Sequence, residues 1–223
     1  MFNKNIISNI NNKWFIICGT IAGVFFTLSW IIQEAFRETY NPLMHPISSL
    51  SFGPTGWIQV ATFFITGVLT LLFAYGLWNI WKSEKGISQW VPIFVIICAL
   101  AFIGSAIFTS DFANGYPAGA PVVITNPTFS GIMHQTCVSL LFFSTPLGCF
   151  IIGNYFAYKK ELKWLLFSSI SGLMFLLFAF LTAVGYYNPP GLETYAGLFQ
   201  RITLSIGFLW ISLVSIYFFK KFK

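Results

Sequence analysis

Residues 14–33 read WFIICGTIAGVFFTLSWIIQ, twenty positions without a charge. A helix that crosses the hydrocarbon of a bilayer needs about twenty such residues, so this one run already points to a membrane. Lys4 and Lys13 stand before it, as basic residues do in a secretory leader. A leader's apolar core is shorter, roughly 7–15 residues, and ends in a small-residue cleavage site that this stretch lacks. The run is therefore expected to be kept as the first span.

Five further segments of the same kind follow. The expected spans cover about 14–36, 57–81, 88–109, 130–157, 163–187 and 198–219. Over all 223 residues, 57% are hydrophobic, 20% aromatic and only 8% charged, where soluble domains carry roughly 25% charge. That difference excludes a soluble enzyme or binding module. No segment alternates apolar and polar residues with period two, which argues against a membrane β-barrel. The expectation is an all-α fold, one polytopic domain over residues 1–223 with six transmembrane helices in a single bundle. Stretches outside the spans reach only about twenty residues, too short for a second domain.

The ten lysines decide the orientation. Lys4, Lys13, Lys82, Lys85, Lys159, Lys160, Lys163, Lys220, Lys221 and Lys223 fall only in the N-terminus, the second and fourth connections and the C-terminus. Cytoplasmic loops are the lysine-rich ones, which predicts a multi-pass protein of the cytoplasmic (plasma) membrane with both termini in the cytoplasm. The net charge of +6 follows from these topology lysines, so nucleic acid is not expected as a partner, whereas the lipid bilayer is. The outer side collects Arg37, Arg201, His45, His134, Glu34, Glu38, Asp111 and Glu193. Any chemical site is therefore expected to face outward. Cys18, Cys98, Cys137 and Cys149 all lie inside spans, without Cys-x-x-Cys spacing, and read as small packing residues. Trp14, Trp78, Trp81, Trp90 and Trp164 at the cytoplasmic ends, with Trp30 and Trp57 at the outer ends, read as interfacial belts.

Each outer connection holds an Asn-Pro step, a turn-forming pair: Asn41-Pro42, Asn126-Pro127 and Asn188-Pro189. Each is followed by a helix that opens alike, as Gly56-Trp57-Ile58-Gln59, Gly131-Ile132-Met133-His134 and Gly197-Leu198-Phe199-Gln200, with Arg201 next. The separations from Asn to Gly are 15, 5 and 9 residues, so three hairpins built alike explain the pattern without a common ancestor. Under either account, helices two, four and six each bring a hydrogen-bonding side chain one turn below the outer surface.

His134 stands in the uncharged stretch 112–158, near the outer end of the fourth span. Ionisable groups at that depth face a cavity or a partner, so it either hydrogen-bonds a neighbouring helix or serves a site. Asp111, directly after the third span, either caps a turn or orients the His134 imidazole. Arg201 lies one turn into the sixth span and requires an anion, either Asp111, Glu193 or Glu34 within the chain, or a lipid phosphate or ligand carboxylate from outside. Gln33, Glu34, Arg37 and Glu38 close the first span with the i, i+3 and i, i+4 spacing of a solvated helix end. The loop over 41–52 mixes apolar residues with Ser48 and Ser49. It is expected to fold back as a short interfacial helix that lids a cavity, with His45 an exposed loop histidine within it.

Catalytic zinc wants about three protein ligands, which His45, His134 and Asp111 or a glutamate supply only if His45 folds over His134. Haem ligation through His45, His134 and Met133 or Met44 is arithmetically open but has no supporting motif. Ser48, Ser49 and Ser130 are the candidate nucleophiles beside a His134 base, and nothing singles one out. There is no Gly-x-Ser-x-Gly elbow, phosphate loop, His-Glu-x-x-His pair or mid-span lysine. Neither a metal, nor a cofactor, nor an oligomeric state follows from the sequence.

The chain carries Arg37-x-x-Tyr40-Asn41-Pro42, then Pro46-Ile47-Ser48-Ser49-Leu50 and Gly56-Trp57, Asp111 after the third span, His134 opening the fourth and Arg201 opening the sixth. In these, and in their order along most of its length, it resembles the bacterial and archaeal membrane proteins grouped as domain-of-unknown-function family 998. The resemblance implies a compact multi-span fold and no established activity. A second similarity, to membrane-embedded metal hydrolases of the alkaline ceramidase and adiponectin-receptor type, implies Ser, Asp and His chemistry near one membrane face. This chain departs from them in having six spans for their seven and no C-terminal His-x-x-x-His pair.

The reading these residues support is a membrane protein with an outward-facing polar pocket that binds or senses a lipid head group or small ligand. Its candidate contacts are Arg201, Arg37, Glu34, Ser48, Ser49, His45, Gln59 and Gln200. Two other classes stay open. One is a membrane-embedded hydrolase, with or without a metal, in which His134 is the base and Asp111 its orienter. The other is an accessory subunit whose polar groups only hold helices together.

Overall fold

The computed structural model describes residues 4–83, 90–187 and 191–221, with the backbone alone at 4–11, 83, 187 and 193. It contains α1 (Lys4–Ala35), α2 (Gly56–Ser83), α3 (Trp90–Ile107), α4 (Phe129–Tyr158), α5 (Leu162–Tyr187) and α6 (Ala196–Lys221). Short 3-10 turns occupy Ile47–Ser51 and Glu193–Tyr195, and no strand occurs among the described residues. All six helices are long and apolar enough to cross a membrane. Their ends lie close to the expected spans, except that α1 begins at Lys4, well ahead of the apolar run. The expected start of the third span, the Asn188-Pro189 step, Lys85 and Lys223 lie outside the described residues, as do the side chains of Lys4 and Glu193.

Each helix packs on its neighbours in sequence and α6 closes against α1, so the six form a ring. Lipid tails are as apolar as leucine, so no hydrophobic drive presses the helices together, and close van der Waals approach has to do so instead. Glycine provides that approach at every seam. A Cβ at Gly23 would meet Ser212 and the Phe208 carbonyl across α1–α6, and one at Gly76 would meet Ile16 across α1–α2. Gly67 faces Ala99 across α2–α3, Gly104 faces Cys137 across α3–α4, Gly172 faces Phe150 across α4–α5, and Gly207 faces Phe175 across α5–α6. Ser215 stitches the closing seam, donating to the Ile16 carbonyl at 2.6 Å and accepting from the Thr20 N–H at 3.1 Å.

Two aromatic clusters fill the ring. One, toward the lysine-bearing end, is built on Phe73, Trp81, Tyr155, Phe156, Trp210 and Phe218. The other, toward the end with the long loops, combines Phe26, Trp30, Phe63 and Phe208 with Tyr40, Leu50, Phe52 and Tyr116 from the loops. Trp30 and Trp81 thus point inward and leave the interfacial belts they were expected to join, while Trp14, Trp57 and Trp90 are exposed. The four cysteines are free, and Cys98, Cys137 and Cys149 are buried in the packing.

The first loop enters the bundle rather than lying over it. Asn41 starts the descent as a turn, its Oδ1 accepting from the Leu43 N–H at 3.0 Å and its carbonyl from the His45 N–H at 2.7 Å. Side chains three apart on a 3-10 turn share one face, so Ile47 and Leu50 drop together into the ring, 1% and 0% exposed. The expected interfacial lid is a plug, because its apolar residues have a core to fill.

The three similar helix starts are three similar contacts. A Cβ at Gly56 would fall on the Ser51 carbonyl, at Gly131 on the Asp111 carboxylate, and at Gly197 on the backbone of Pro42, Met44 and His45. Each glycine admits a loop against the first turn of an even-numbered helix. The polar residue three positions on then ties that helix down: Gln59 accepts from Gln33 of α1, His134 bonds the Phe108 carbonyl just past α3, and Gln200 accepts from the Ile47 N–H, each at 2.8 Å.

Candidate functional site

Three clusters of polar side chains gather at the loop end, and the first surrounds Arg201. Its Nε and Nη2 both reach Glu34 Oε2 at 2.9 Å. Nη1 donates to the His45 carbonyl at 3.0 Å and to the Gly197 carbonyl at 2.9 Å, and Nη2 also donates to the Tyr40 hydroxyl. A guanidinium has five N–H groups, of which four make these hydrogen bonds while Nη2 also pairs with the Glu34 carboxylate. The rings of Trp30 and Tyr40 flank it, each centroid 5.5 Å from Cζ. Of the anions the sequence offered, Arg201 takes Glu34, which therefore turns away from Arg37 and is no solvated helix end. Gln200, beside it, holds the plug through Ile47.

His45 belongs to the same cluster and is buried, not exposed as a loop histidine would be. It packs against Tyr40 and Tyr116, with ring centroids 5.4 Å and 5.1 Å away. Tyr116 comes from the loop between α3 and α4, which is why the burial of His45 could not be read from its own loop. The Asn41 N–H donates to Nδ1 at 2.9 Å, which places the ring proton on Nε2. Burial lowers the His45 pKa, opposed by the backbone of Asn114 and reinforced by the Arg201 charge. Burial also pushes the Tyr40 phenol up to about 12, against the pull of Arg201.

The second cluster is the junction of α3 and α4. Asp111 accepts from the Thr128 N–H at 3.0 Å and from its hydroxyl at 2.6 Å, and Thr128, the N-cap of α4, accepts from the Gly131 N–H at 3.0 Å. Asp111 thus braces a helix cap. His134 is oriented instead by the Phe108 carbonyl, which holds the proton on Nδ1. Its Nε2 completes no hydrogen bond, although the Ser105 carbonyl lies near the ring. Ser130 donates to the Thr109 carbonyl at 2.9 Å, and Ser48 and Ser49 sit in the plug, so none of the three serines bonds His134 among the described residues. No three His, Cys, Asp or Glu side chains among the described residues converge as metal ligands.

The third cluster lies between α1 and α2. A groove of about 420 Å³ is walled by Phe25, Leu28, Ile32, Phe36 and Ile58, and its polar members are Ser29, Gln33, Arg37 and Thr55. Arg37 donates to the carbonyls of Phe52 at 2.8 Å and Leu50, and meets no carboxylate among the described residues. Behind the wall, Gln33 Nε2 donates to Gln59 Oε1 at 2.8 Å and contacts Ser29 and Thr62. Gln33 and Tyr40 are the important polar residues missing from the sequence-level candidates. The legible signal for Gln33 was a second glutamine, Gln59, at matching depth on the hairpin partner.

With this geometry in view, the sequence was compared with known proteins. It matches the family described as protein of unknown function, DUF998, over residues 20–217. The chain belongs to that family. Comparison with curated proteins and with solved structures gave no match. In this DUF998 protein the matched segment spans all three polar clusters, from Gln33 and Arg37 through Asp111 and His134 to Arg201.

Proposed function

We propose that this integral membrane protein is a single-domain binder of an anionic amphiphile, set in the cytoplasmic membrane with its lysine end inside and its loop end outside. The lysine distribution supports the orientation, since basic loops stay cytoplasmic. The observation that carries the ligand class is the α1–α2 groove. Its walls are exposed leucine, isoleucine and phenylalanine side chains, Leu28 at 52% and Phe36 at 84%, so it opens onto the hydrocarbon rather than onto water. Arg37 stands at its rim with most of its N–H groups uncommitted and no carboxylate partner among the described residues. A cation at the head-group level above an apolar slot complements a chain with an anionic head.

Arg201, the more conspicuous arginine in the sequence, is the weaker candidate because its donors are already satisfied inside the protein. The hydrolase reading lacks a supporting contact, since Asp111 braces a cap and His134 is held by a backbone carbonyl.

Delipidated protein in mild detergent, titrated with oleyl phosphate and with the zwitterionic oleyl phosphocholine and followed by native mass spectrometry, tests the proposal. Oleyl phosphate is expected to be retained about tenfold better, and Arg37→Gln to erase the difference. Equal retention of both compounds by the unaltered protein would remove the anionic-head assignment.

A further inference from the structure

The polar pair behind the groove is incomplete. Gln33 Nε2 faces the Ser29 carbonyl at 3.2 Å, so that atom has to be the nitrogen, and Gln59 must then present its oxygen to it. With both amides fixed, Gln33 Oε1 and Gln59 Nε2 are left buried without hydrogen-bond partners. Gln33 is 8% exposed and Gln59 0%. Buried amide groups are rarely left unpaired, because each loses its water and gains nothing in return. One orphan is an acceptor and the other a donor. Gln33 belongs to the groove wall, while both neighbouring hydroxyls, Ser29 and Thr62, are engaged with one another at 2.6 Å.

Depth along the groove identifies what belongs there. Arg37 follows Gln33 by four residues and lies two residues past the end of α1 at Ala35, nearer the loop end. A lipid phosphate at Arg37 therefore places the atoms next to the head group, where chain and head are joined, at the level of Gln33. In a diacyl lipid that region carries ester carbonyls, which only accept, as Gln33 Oε1 does. A free hydroxyl can donate, and so complements Gln33 Oε1, the orphan acceptor that belongs to the groove wall. The groove's volume of about 420 Å³ lies toward the small end of the usual 300–1,000 Å³ range for ligand pockets, which suits one chain rather than two.

Resting on the reading of the groove as an anionic-amphiphile site, we propose that its occupant is a single-chain lipid with a free hydroxyl beside its anionic head, the chemistry of a lysophospholipid, and that Gln33, its amide held by Gln59, selects that hydroxyl.

The test changes the ligand before it changes the protein. Oleoyl lysophosphatidic acid is compared with its 2-O-methyl ether and with dioleoyl phosphatidic acid by native mass spectrometry on the intact, delipidated chain. The free hydroxyl compound is expected to bind at least about tenfold tighter than the ether, which keeps the charge and chain but cannot donate. Gln33→Leu is expected to abolish that preference. If the ether and the diacyl lipid bind as well as the hydroxyl compound, and all three depend on Arg37, the groove reading stands and the hydroxyl assignment is overturned. If none of the three depends on Arg37, both fall. A preference that survives Gln33→Leu in protein with an unchanged melting temperature overturns the role given to Gln33.

Discussion

Two arginines sit at the same end of this bundle and do opposite things. Arg201 is 6% exposed, sandwiched between two aromatic rings, paired with Glu34 and bonded to two carbonyls and a phenol. Arg37 is half-buried, touches two carbonyls and has an open groove below it. The first joins α1, the plug and α6. The second joins α1 to the plug and retains unused donors. Depth in the sequence made Arg201 look like the ligand's partner, and saturation of its donors shows why depth alone misleads: a buried cation has to be satisfied by something, and here the protein does it.

The sharpest way to break this comparison is to remove each guanidinium and ask what is lost. Arg201→Ala leaves Glu34 as a largely buried carboxylate without its cation and strips two loop acceptors, the His45 carbonyl and the Tyr40 hydroxyl, of their donor. Breaking such a pair costs about 3–5 kcal/mol, so the variant is expected to lose most of its thermal stability in detergent or fail to purify as a single species. Arg201→Lys should recover little, because three rotatable donors cannot reproduce five fixed ones. A wild-type melting temperature for Arg201→Ala would show that the cluster is not the clamp.

The next effect separates the two sites by pH. Tyr40 accepts from Arg201 and is held near 12 against an ordinary 10, so its proton is bound more tightly in the folded state. The stability this contributes is complete below pH 10 and lost as pH rises from 10 to about 12, a loss of about 2.7 kcal/mol for two units. His45 is the mirror case. Its folded pKa is lowered, so its contribution is complete above 6.5 and falls away as pH drops below that value. Melting temperatures between pH 5 and about 12 should therefore decline at both ends. Tyr40→Phe should flatten the alkaline decline, and an unchanged alkaline slope in that variant would mean Tyr40 is not the titrating group.

How far the sequence carried these conclusions depended on the distance over which each one is decided. Span positions are local properties of apolar runs, and the helices appear where those runs are. Gly56, Gly131 and Gly197 were visible as a pattern, and their common purpose follows once each is seen against the loop it admits. Partner choice is a different matter. Arg201 finds Glu34 across 167 residues of sequence, and three acids were equally available on paper. His45 looked exposed because Tyr116, which covers it, lies in another loop. Asp111 could cap or orient, and the choice was made by Thr128, whose N–H and hydroxyl are both within its reach. The Gln33–Gln59 pair was the most accessible of the missed features, because two carboxamides in an apolar hairpin have few places to go except each other.

The smallest expected stability effect completes the comparison and makes it decisive. Arg37→Gln keeps an N–H donor near the Leu50 and Phe52 carbonyls, and at a half-buried position the lost hydrogen bond is worth about 1 kcal/mol, several times less than at Arg201. Melts of the two variants side by side measure that ratio without any ligand. If Arg37→Gln is as damaging as Arg201→Ala, Arg37 is a second clamp rather than a free cation, and its place at the rim of the groove is a by-product of holding the plug. A mild effect leaves a positive charge at the membrane surface that the fold does not need. An arginine retained under those terms is the kind of residue a charged ligand requires, because its energy is realised only when an anion arrives.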